Sequence, residues 1–197
     1  MKKDIILAGV GGQGIVTIAT VIGYAAVKRG LQLKQSEVHG MSQRGGDVQS
    51  HLRISDREIY SDLIPEGAAD VIISVEPMEA LRYLSFLSPD GWIVSNNTPF
   101  VNIANYPDVR ALHDRIKNFP RSVLLDAEKI ARQHANAKAM NIVMVGAASG
   151  YIGLSTEELE DAIRVIFERK GDAIVNANLR AFHAGRVSAS AMHEAIA

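Results

Sequence analysis

The sequence predicts a three-layer α/β/α fold, Rossmann-like, with a mostly parallel sheet, an antiparallel hairpin and a helical C-terminal third. Apolar runs of strand length alternate with helical segments up to residue 125, an order typical of βαβ units. A glycine-rich turn joins the first strand to the first helix, and helical spacing dominates after Asp126. With 197 residues, 47% of them hydrophobic, the chain can bury a substantial core, and residues 1–197 are expected to form a single domain.

The first sixty residues contain the opening strand, helix and hairpin. Residues 4–9 are predicted to form a buried strand, and residues 13–29 a helix with its apolar positions on one face. A second strand is expected at residues 32–38. Residues 48–60 are expected to form the antiparallel hairpin, turning at residues 56–58, because apolar and polar side chains alternate before that turn.

The next strands have the composition of buried parallel strands. Residues 71–75 form a continuous run of mostly branched apolar side chains, and Pro77 suits the first turn of a following helix. Residues 89–91, Pro-Asp-Gly, are expected to turn the chain into a strand at residues 92–95. Residues 122–125 are predicted to be the last strand.

Helices are predicted for the rest of the chain. Ser155 and Glu158 have the spacing of a capping box, in which each side chain satisfies a backbone N–H of the first turn. One or two final helices are expected over residues 173–183 and 188–196.

Composition excludes several classes of function. The formal net charge is −1 and basic residues are spread along the chain, so neither a nucleic-acid footprint nor a membrane-surface patch is indicated. No apolar run approaches the roughly 20 residues that a transmembrane helix needs, and the first apolar segment is too short for a signal peptide. The protein is therefore expected to be cytoplasmic.

Cysteine is absent, which excludes disulfides, thiolate nucleophiles, thiolate zinc sites and ordinary iron–sulfur ligation by this chain. The six histidines lack a spacing such as H-E-x-x-H, so no metal site is expected.

The clearest motif is the glycine turn. Residues 9–14 read G-V-G-G-Q-G and match G-x-G-x-x-G where a strand passes into a helix. Backbone N–H groups at a helix start can bind a phosphate or carboxylate. The glycines can equally serve only a tight turn and close helix–sheet packing, and the pattern alone does not decide between the two.

The segment after the second strand is polar, rich in glycine and contains one arginine. Arg44 could provide a bidentate contact to an anion, although a solvated surface loop is the commoner use of such a segment. Glu37 stands where a dinucleotide site would place its ribose-binding acid. His39 and His51 are possible acid–base groups with no evident partner, and Asn141 is interpreted as a cap or buried hydrogen bonder.

Three segments together resemble one family: residues 9–14, residues 37–46 with the sequence E-V-H-G-M-S-Q-R-G-G, and residues 178–182 with N-L-R-A-F. They resemble the gamma subunit or domain of 2-oxoacid:ferredoxin oxidoreductases, and within it the beta subunit of the indolepyruvate enzymes. The resemblance extends from Ile5 to about Arg186. The middle segment is much more specific than the glycine turn.

This resemblance implies oxidative decarboxylation of a 2-oxoacid such as an arylpyruvate to acyl-CoA and CO2, with reduction of ferredoxin. Thiamine diphosphate and 4Fe-4S clusters are expected in a large alpha subunit, since this chain lacks cysteine and the G-D-G motif for thiamine binding. Coenzyme A is the expected co-substrate, and no catalytic acid or base is assigned. The candidate binding residues carried over are Gly11, Gly12, Gln13, Gly14, His39, Ser42, Gln43 and Arg44.

Two other hypotheses remain open from the residues themselves. The chain could be an independent NAD(P)-binding enzyme, or a scaffold subunit whose glycine turn binds no ligand. If the chain is either an oxidoreductase subunit or a scaffold subunit, an apolar surface that contacts the large subunit is expected. The isolated chain could then form a homodimer through that surface.

Overall fold

A six-stranded sheet organises the chain in the computed structural model, which describes residues 1–39 and 45–194. The strand order is β2-β3-β1-β4-β5-β6. Strands β1, β4, β5 and β6 are mutually parallel, whereas β3 is antiparallel to both of its neighbours, β1 and β2. The strands are Lys2–Val10, Gln32–His39, Asp47–Ser55, Ala69–Ser74, Leu87–Asn96 and Ser122–Leu125, numbered β1 to β6 in chain order.

Helices cover both faces of the sheet. In chain order, α1 to α7 are Ile15–Lys28, Pro77–Arg82, Val109–Lys117, Ala127–His134, Met140–Ala148, Thr156–Phe167 and Asp172–Glu194. The main core lies between one face of the sheet and helices α1, α4, α5, α6 and α7, while α2 and α3 pack on the opposite face. The predicted three-layer α/β architecture is therefore confirmed.

The hairpin was predicted at the wrong place. Residues 59 and 60 are not in a strand, and the antiparallel partners of β3 are β1 and β2. Arg53 explains the difference: its guanidinium binds the buried Asp4 carboxylate and the carbonyls of Ser61 and Leu63, so the chain after β3 folds over the sheet instead of pairing with it. The hairpin is formed by β2 and β3.

Two boundaries also differ from the prediction. Residues 89–91 lie inside β5, where the pairing with β4 shifts between Ala69 and Val71, and they form an irregular part of the strand. The C-terminal region is one helix, α7, over Asp172–Glu194. The capping box of α6 is present, with Ser155 and Glu158 each accepting from the other's backbone N–H.

Helices α5 and α7 approach each other closely because of two glycines. A Cβ atom on Gly146 would lie 1.9 Å from the Phe182 carbonyl oxygen, and one on Gly185 would lie 2.0 Å from that of Val143. Eight of the nine residues of α5 are buried, Asn141 being the one partly exposed. Helix α5 is thus enclosed by its neighbours α1 and α7.

Candidate functional site

The candidate site lies at the carboxyl edge of the parallel strands. Strands β1, β4 and β5 all end there, and β2 ends at the same edge because it runs parallel to β1. Strand β3 starts there, since Val10 at the end of β1 pairs with Asp47. Ligands of open α/β sheets bind at this edge, in the loops that follow the strands.

The glycine turn has two residues that favour glycine. Gly12 and Gly14 have φ angles of 101° and 83°, a region that other residues rarely adopt. Gln13 closes the turn, because its side-chain Oε1 accepts from the Val10 N–H at 2.9 Å and its backbone N–H donates to the Val10 carbonyl at 3.1 Å. The turn between β1 and α1 is therefore a fixed structure.

Two of the four predicted binding residues in the turn use their N–H groups internally. The Gly11 N–H donates to the Gly46 carbonyl at 2.8 Å, and the Gln13 N–H is bonded to Val10. Within the described residues, the N–H groups of Gly12 and Gly14 have no such partner. The space beside Gly12 is open, because no described atom lies within 4 Å of the point that a Cβ would occupy there. Gly12 and Gly14 are thus the residues whose N–H groups could meet a ligand.

Asn141 lies directly against the turn. Its Nδ2 is 2.8 Å from the position that a Cβ on Gly14 would occupy, while its Oδ1 accepts from the Ile142 N–H at 2.9 Å. Asn141 is not the cap of α5, because the N-cap residue is Ala139 and no side chain in the described ranges caps the helix. Asn141 is instead a partly buried hydrogen bonder through its contact to Ile142. The same contact orients the amide so that its N–H2 group faces Gly14, which brings a second polar group to the turn.

Ser42, Gln43 and Arg44 lie outside the described residues, as does the side chain of His39. The backbone of His39 ends β2 and pairs with Val48 of β3, so residues 39 and 45 both stand at the carboxyl edge. The Gly46 contact to Gly11 joins the end of this segment to the glycine turn.

Glu76 is a buried acid at this edge. It follows β4, is fully buried, and accepts the N–H of Glu79 on one carboxylate oxygen at 2.9 Å, which caps α2. Its other oxygen accepts the Phe100 N–H at 3.2 Å and the Tyr106 hydroxyl. Glu76 thereby joins the loops that follow β4 and β5.

A second polar cluster lies next to Glu76 on α2. Glu79 is 1% exposed and binds the Arg82 guanidinium through both oxygens, at 2.7 and 3.1 Å. Burial raises the pKa of Glu79, and the arginine partly opposes this effect. The Tyr83 hydroxyl donates to Asp47 at 3.3 Å, and burial raises its pKa, so it remains protonated. These contacts fix the start of β3 to α2.

Two other polar residues in this region have structural roles. Asn96 is fully buried and bridges Val75 to the start of α4, donating to the Val75 carbonyl and accepting the Ala127 N–H. His51 is buried beneath the loop before β4, where its Nδ1 accepts the Ile64 N–H at 3.0 Å. Burial lowers the pKa of His51, so the ring stays neutral and does not serve as an acid at neutral pH.

Glu37 is not placed for ribose binding. Strand β3 lies between β1 and β2, so β2 is two strand spacings, about 10 Å, from the strand that carries the glycine turn. In a dinucleotide fold the acid-bearing strand is adjacent to that strand. The inserted strand argues against an NAD(P) site.

Sequence reasoning missed Glu76, Asn96, Asn102 and Tyr106. For Glu76 a signal existed, because a carboxylate directly after a buried parallel strand stands at the ligand-binding edge. The contacts of Asn102 and Tyr106 join loops far apart in sequence, and no local pattern predicts them.

Fold and site together define an α/β protein whose glycine turn and strand-following loops meet at one end of a mostly parallel sheet. The chain belongs to the pyruvate ferredoxin/flavodoxin oxidoreductase family, whose model matches residues 4–187. The resemblance inferred from the glycine turn and residues 37–46 is thus confirmed.

Two relatives match nearly their full lengths. The chain is 37% identical to the indolepyruvate oxidoreductase subunit IorB of Thermococcus kodakarensis over 203 aligned residues, covering 98% of each chain. It is 38% identical to the subunit of the same name from Pyrococcus horikoshii, again over 98% of each chain.

Solved structures share the fold. The gamma subunit of a keto/oxoacid ferredoxin oxidoreductase from Geobacter sulfurreducens has a TM-score of 0.71 at 24% identity, covering 96% of this chain and 99% of that one. A 2-oxoglutarate:ferredoxin oxidoreductase from Magnetococcus marinus, with 2-oxoglutarate, coenzyme A and succinyl-CoA bound, has a TM-score of 0.76 at 21% identity. The match covers 96% of this chain and 31% of that longer one.

No helix in the described ranges has the length and apolar character needed to span a membrane.

Proposed function

We propose that this protein is the small subunit of an indolepyruvate, or related 2-oxoacid, ferredoxin oxidoreductase. The observation that carries the proposal is the 37–38% identity to IorB subunits over 98% of each chain. The reaction converts an arylpyruvate and coenzyme A to acyl-CoA and CO2, with electrons passing to ferredoxin.

The proposed division of labour is the one that the family resemblance implies, and the composition of this chain agrees with it. Iron–sulfur clusters need thiolate ligands, and this chain has no cysteine. As the family resemblance implies, we place thiamine diphosphate and the 4Fe-4S clusters in a larger alpha subunit, and ferredoxin meets this chain only through the complex. The single domain, residues 1–197, completes the assembly at its carboxyl-edge site.

We further propose that this site binds a phosphate group of coenzyme A. The N–H groups of Gly12 and Gly14 lie at the positive end of α1 and have no backbone partner among the described residues, so they are available to a phosphate. Gly11 and Gln13 hold the turn in shape, and Arg44 adds a charged fork from the segment that also contains His39, Ser42 and Gln43. The space beside Gly12 leaves room for a ligand, because no described atom lies within 4 Å of the point that a Cβ would occupy there.

The isolated chain is expected to be colourless and inactive. Purified alone, it should contain neither iron nor thiamine diphosphate and should not reduce a viologen dye with indolepyruvate, because it lacks the ligands that hold the redox centres. Co-expression with the cognate large subunit should give an active complex. Indolepyruvate-dependent viologen reduction by the pure chain would contradict the proposed subunit role.

Arg44→Ala is expected to raise the KM for coenzyme A in the assembled enzyme, with little change in the KM for the 2-oxoacid. Losing one charge-assisted contact corresponds to about 1.5 to 3 kcal/mol, or roughly 10- to 150-fold. Arg57→Ala is the matched control, because Arg57 is an exposed arginine beyond the opposite end of β3. An unchanged coenzyme A dependence in an assembled Arg44→Ala enzyme would show that this arginine does not bind the co-substrate.

A further inference from the structure

The loop between β5 and α3 is fixed by polar contacts rather than by apolar burial. Over residues 97–106 it exposes three large apolar side chains, Phe100, Val101 and Ile103, by 41, 66 and 42%. Side chains so exposed contribute little to holding a loop in place. Its hydrogen bonds must therefore determine where it lies.

Glu76 provides the main attachment. One carboxylate oxygen accepts both the Phe100 N–H, at 3.2 Å, and the Tyr106 hydroxyl. The carboxylate is fully buried, so each lost donor would leave part of a charge without compensation in a site of low polarity. Burial and the neighbouring carboxylate raise the pKa of Tyr106, so its hydroxyl remains a donor at any physiological pH.

The tip of the same loop contacts the segment that leads into β3. The Asn102 amide nitrogen donates to the Gly45 carbonyl at 2.5 Å. The next carbonyl, that of Gly46, accepts the Gly11 N–H of the glycine turn at 2.8 Å. A continuous path of contacts thus runs from Glu76 through residues 97–106 and Gly45-Gly46 to the turn.

We propose that Glu76 is a positioning residue that sets the geometry of the glycine turn through the loop of residues 97–106. It touches no ligand and acts through Tyr106, Asn102 and the Gly46–Gly11 bond. The expected effect of Glu76 on coenzyme A affinity rests on the proposed function, because that effect requires the glycine turn to be the phosphate site. The expected effect of Glu76 on the geometry of the turn is independent of the proposed function.

Amide hydrogen exchange of the isolated chain tests the path directly. Tyr106→Phe removes one donor to Glu76, and Asn102→Ala removes the contact to Gly45 from an exposed position where folding is not at risk. Each variant is expected to accelerate exchange at the Gly11 N–H about fivefold, the equivalent of one net hydrogen bond. Tyr60→Phe is the matched control, since Tyr60 is 85% exposed. Unchanged Gly11 exchange in both variants would overturn the proposal.

Kinetics of the assembled enzyme separate this inference from the proposed function. Tyr106→Phe should raise the KM for coenzyme A severalfold and leave kcat nearly unchanged, a split that a general loss of stability does not produce. If Gly12→Val raises this KM and Tyr106→Phe does not, the positioning role is wrong and the coenzyme A site stands. If Gly11 exchange accelerates in the Tyr106 variant but neither variant alters the KM, the path is real and the coenzyme A assignment is wrong.

Discussion

Gly146→Ala is expected to destabilise the chain by about 3 to 5 kcal/mol, among the largest effects of a single methyl group in the described fold. The added Cβ would lie 1.9 Å from the Phe182 carbonyl oxygen and 3.1 Å from the Arg186 nitrogen. Both are backbone atoms, so no side-chain rotation relieves the contact and α5 must move away from α7. Alanine's better helix propensity, at most about 1 kcal/mol, offsets only part of this cost.

Urea unfolding of the unsubstituted protein and of Gly146→Ala, followed by circular dichroism, measures the difference in their free energies of unfolding. Gly150→Ala is the matched control: Gly150 lies just after the same helix, and a Cβ there would have no described atom within 4 Å. The control is expected to change stability by less than about 0.5 kcal/mol. If Gly146→Ala lowers the free energy of unfolding by less than about 1 kcal/mol, α5 and α7 can move apart with little loss of stability. Their close approach would then not be a requirement of the fold.

Gly12→Val is expected to abolish most coenzyme A use by the assembled enzyme, with the KM rising by more than about tenfold. The valine would fill the open space beside the turn and would strain a backbone whose φ of 101° a branched residue rarely adopts. The first effect blocks a ligand, whereas the second destabilises the turn by about 1 to 3 kcal/mol. Steady-state kinetics with varied coenzyme A, at saturating 2-oxoacid, measure the combined result of blocking and strain on the KM for coenzyme A.

Gly30→Val separates the two effects. Gly30 also has a positive φ, 84°, and open space around its Cβ position, but it lies after α1, at the opposite end of the sheet. Strain should therefore be similar in the two variants, and only Gly12→Val should alter the coenzyme A dependence. If Gly12→Val and Gly30→Val lose the same stability and neither changes the coenzyme A dependence, the glycine turn has only a structural role.

The sequence was sufficient to predict most of the fold. Buried parallel strands are continuous apolar runs, so β1, β4 and β6 were predicted within about two residues of each end. The hairpin was misplaced because alternation in β3 indicates a strand but not its partners. These are β1 and β2, and the pairing with β1 places Arg53 opposite Asp4. The extent of α7 was underestimated, because α7 begins before residue 173 and residues 184–187 continue the helix across the predicted gap.

The site was predictable only in part. The glycine turn has a local signature, and its place at the carboxyl edge follows from the order of strand and helix. By contrast, only the tertiary structure shows that Gly46 and Val10 accept the N–H groups of Gly11 and Gln13, while those of Gly12 and Gly14 have no partner among the described residues. Asn141 comes beside Gly14 because α5 packs on α1, a tertiary contact between segments far apart in the sequence.

The enclosure of α5 has a consequence for the order in which the chain can mature on the ribosome. Helix α5 is apolar on nearly every side, and the side that faces α7 stays uncovered until the final helix of the described chain has been made. Strands β1, β2 and β3 can associate with α1 earlier, since all of them are complete by residue 55. Nascent chains paused before residue 172 would therefore present α5 to chaperones or to one another. Synthesis that ends prematurely in this region should give aggregates rather than a smaller soluble protein.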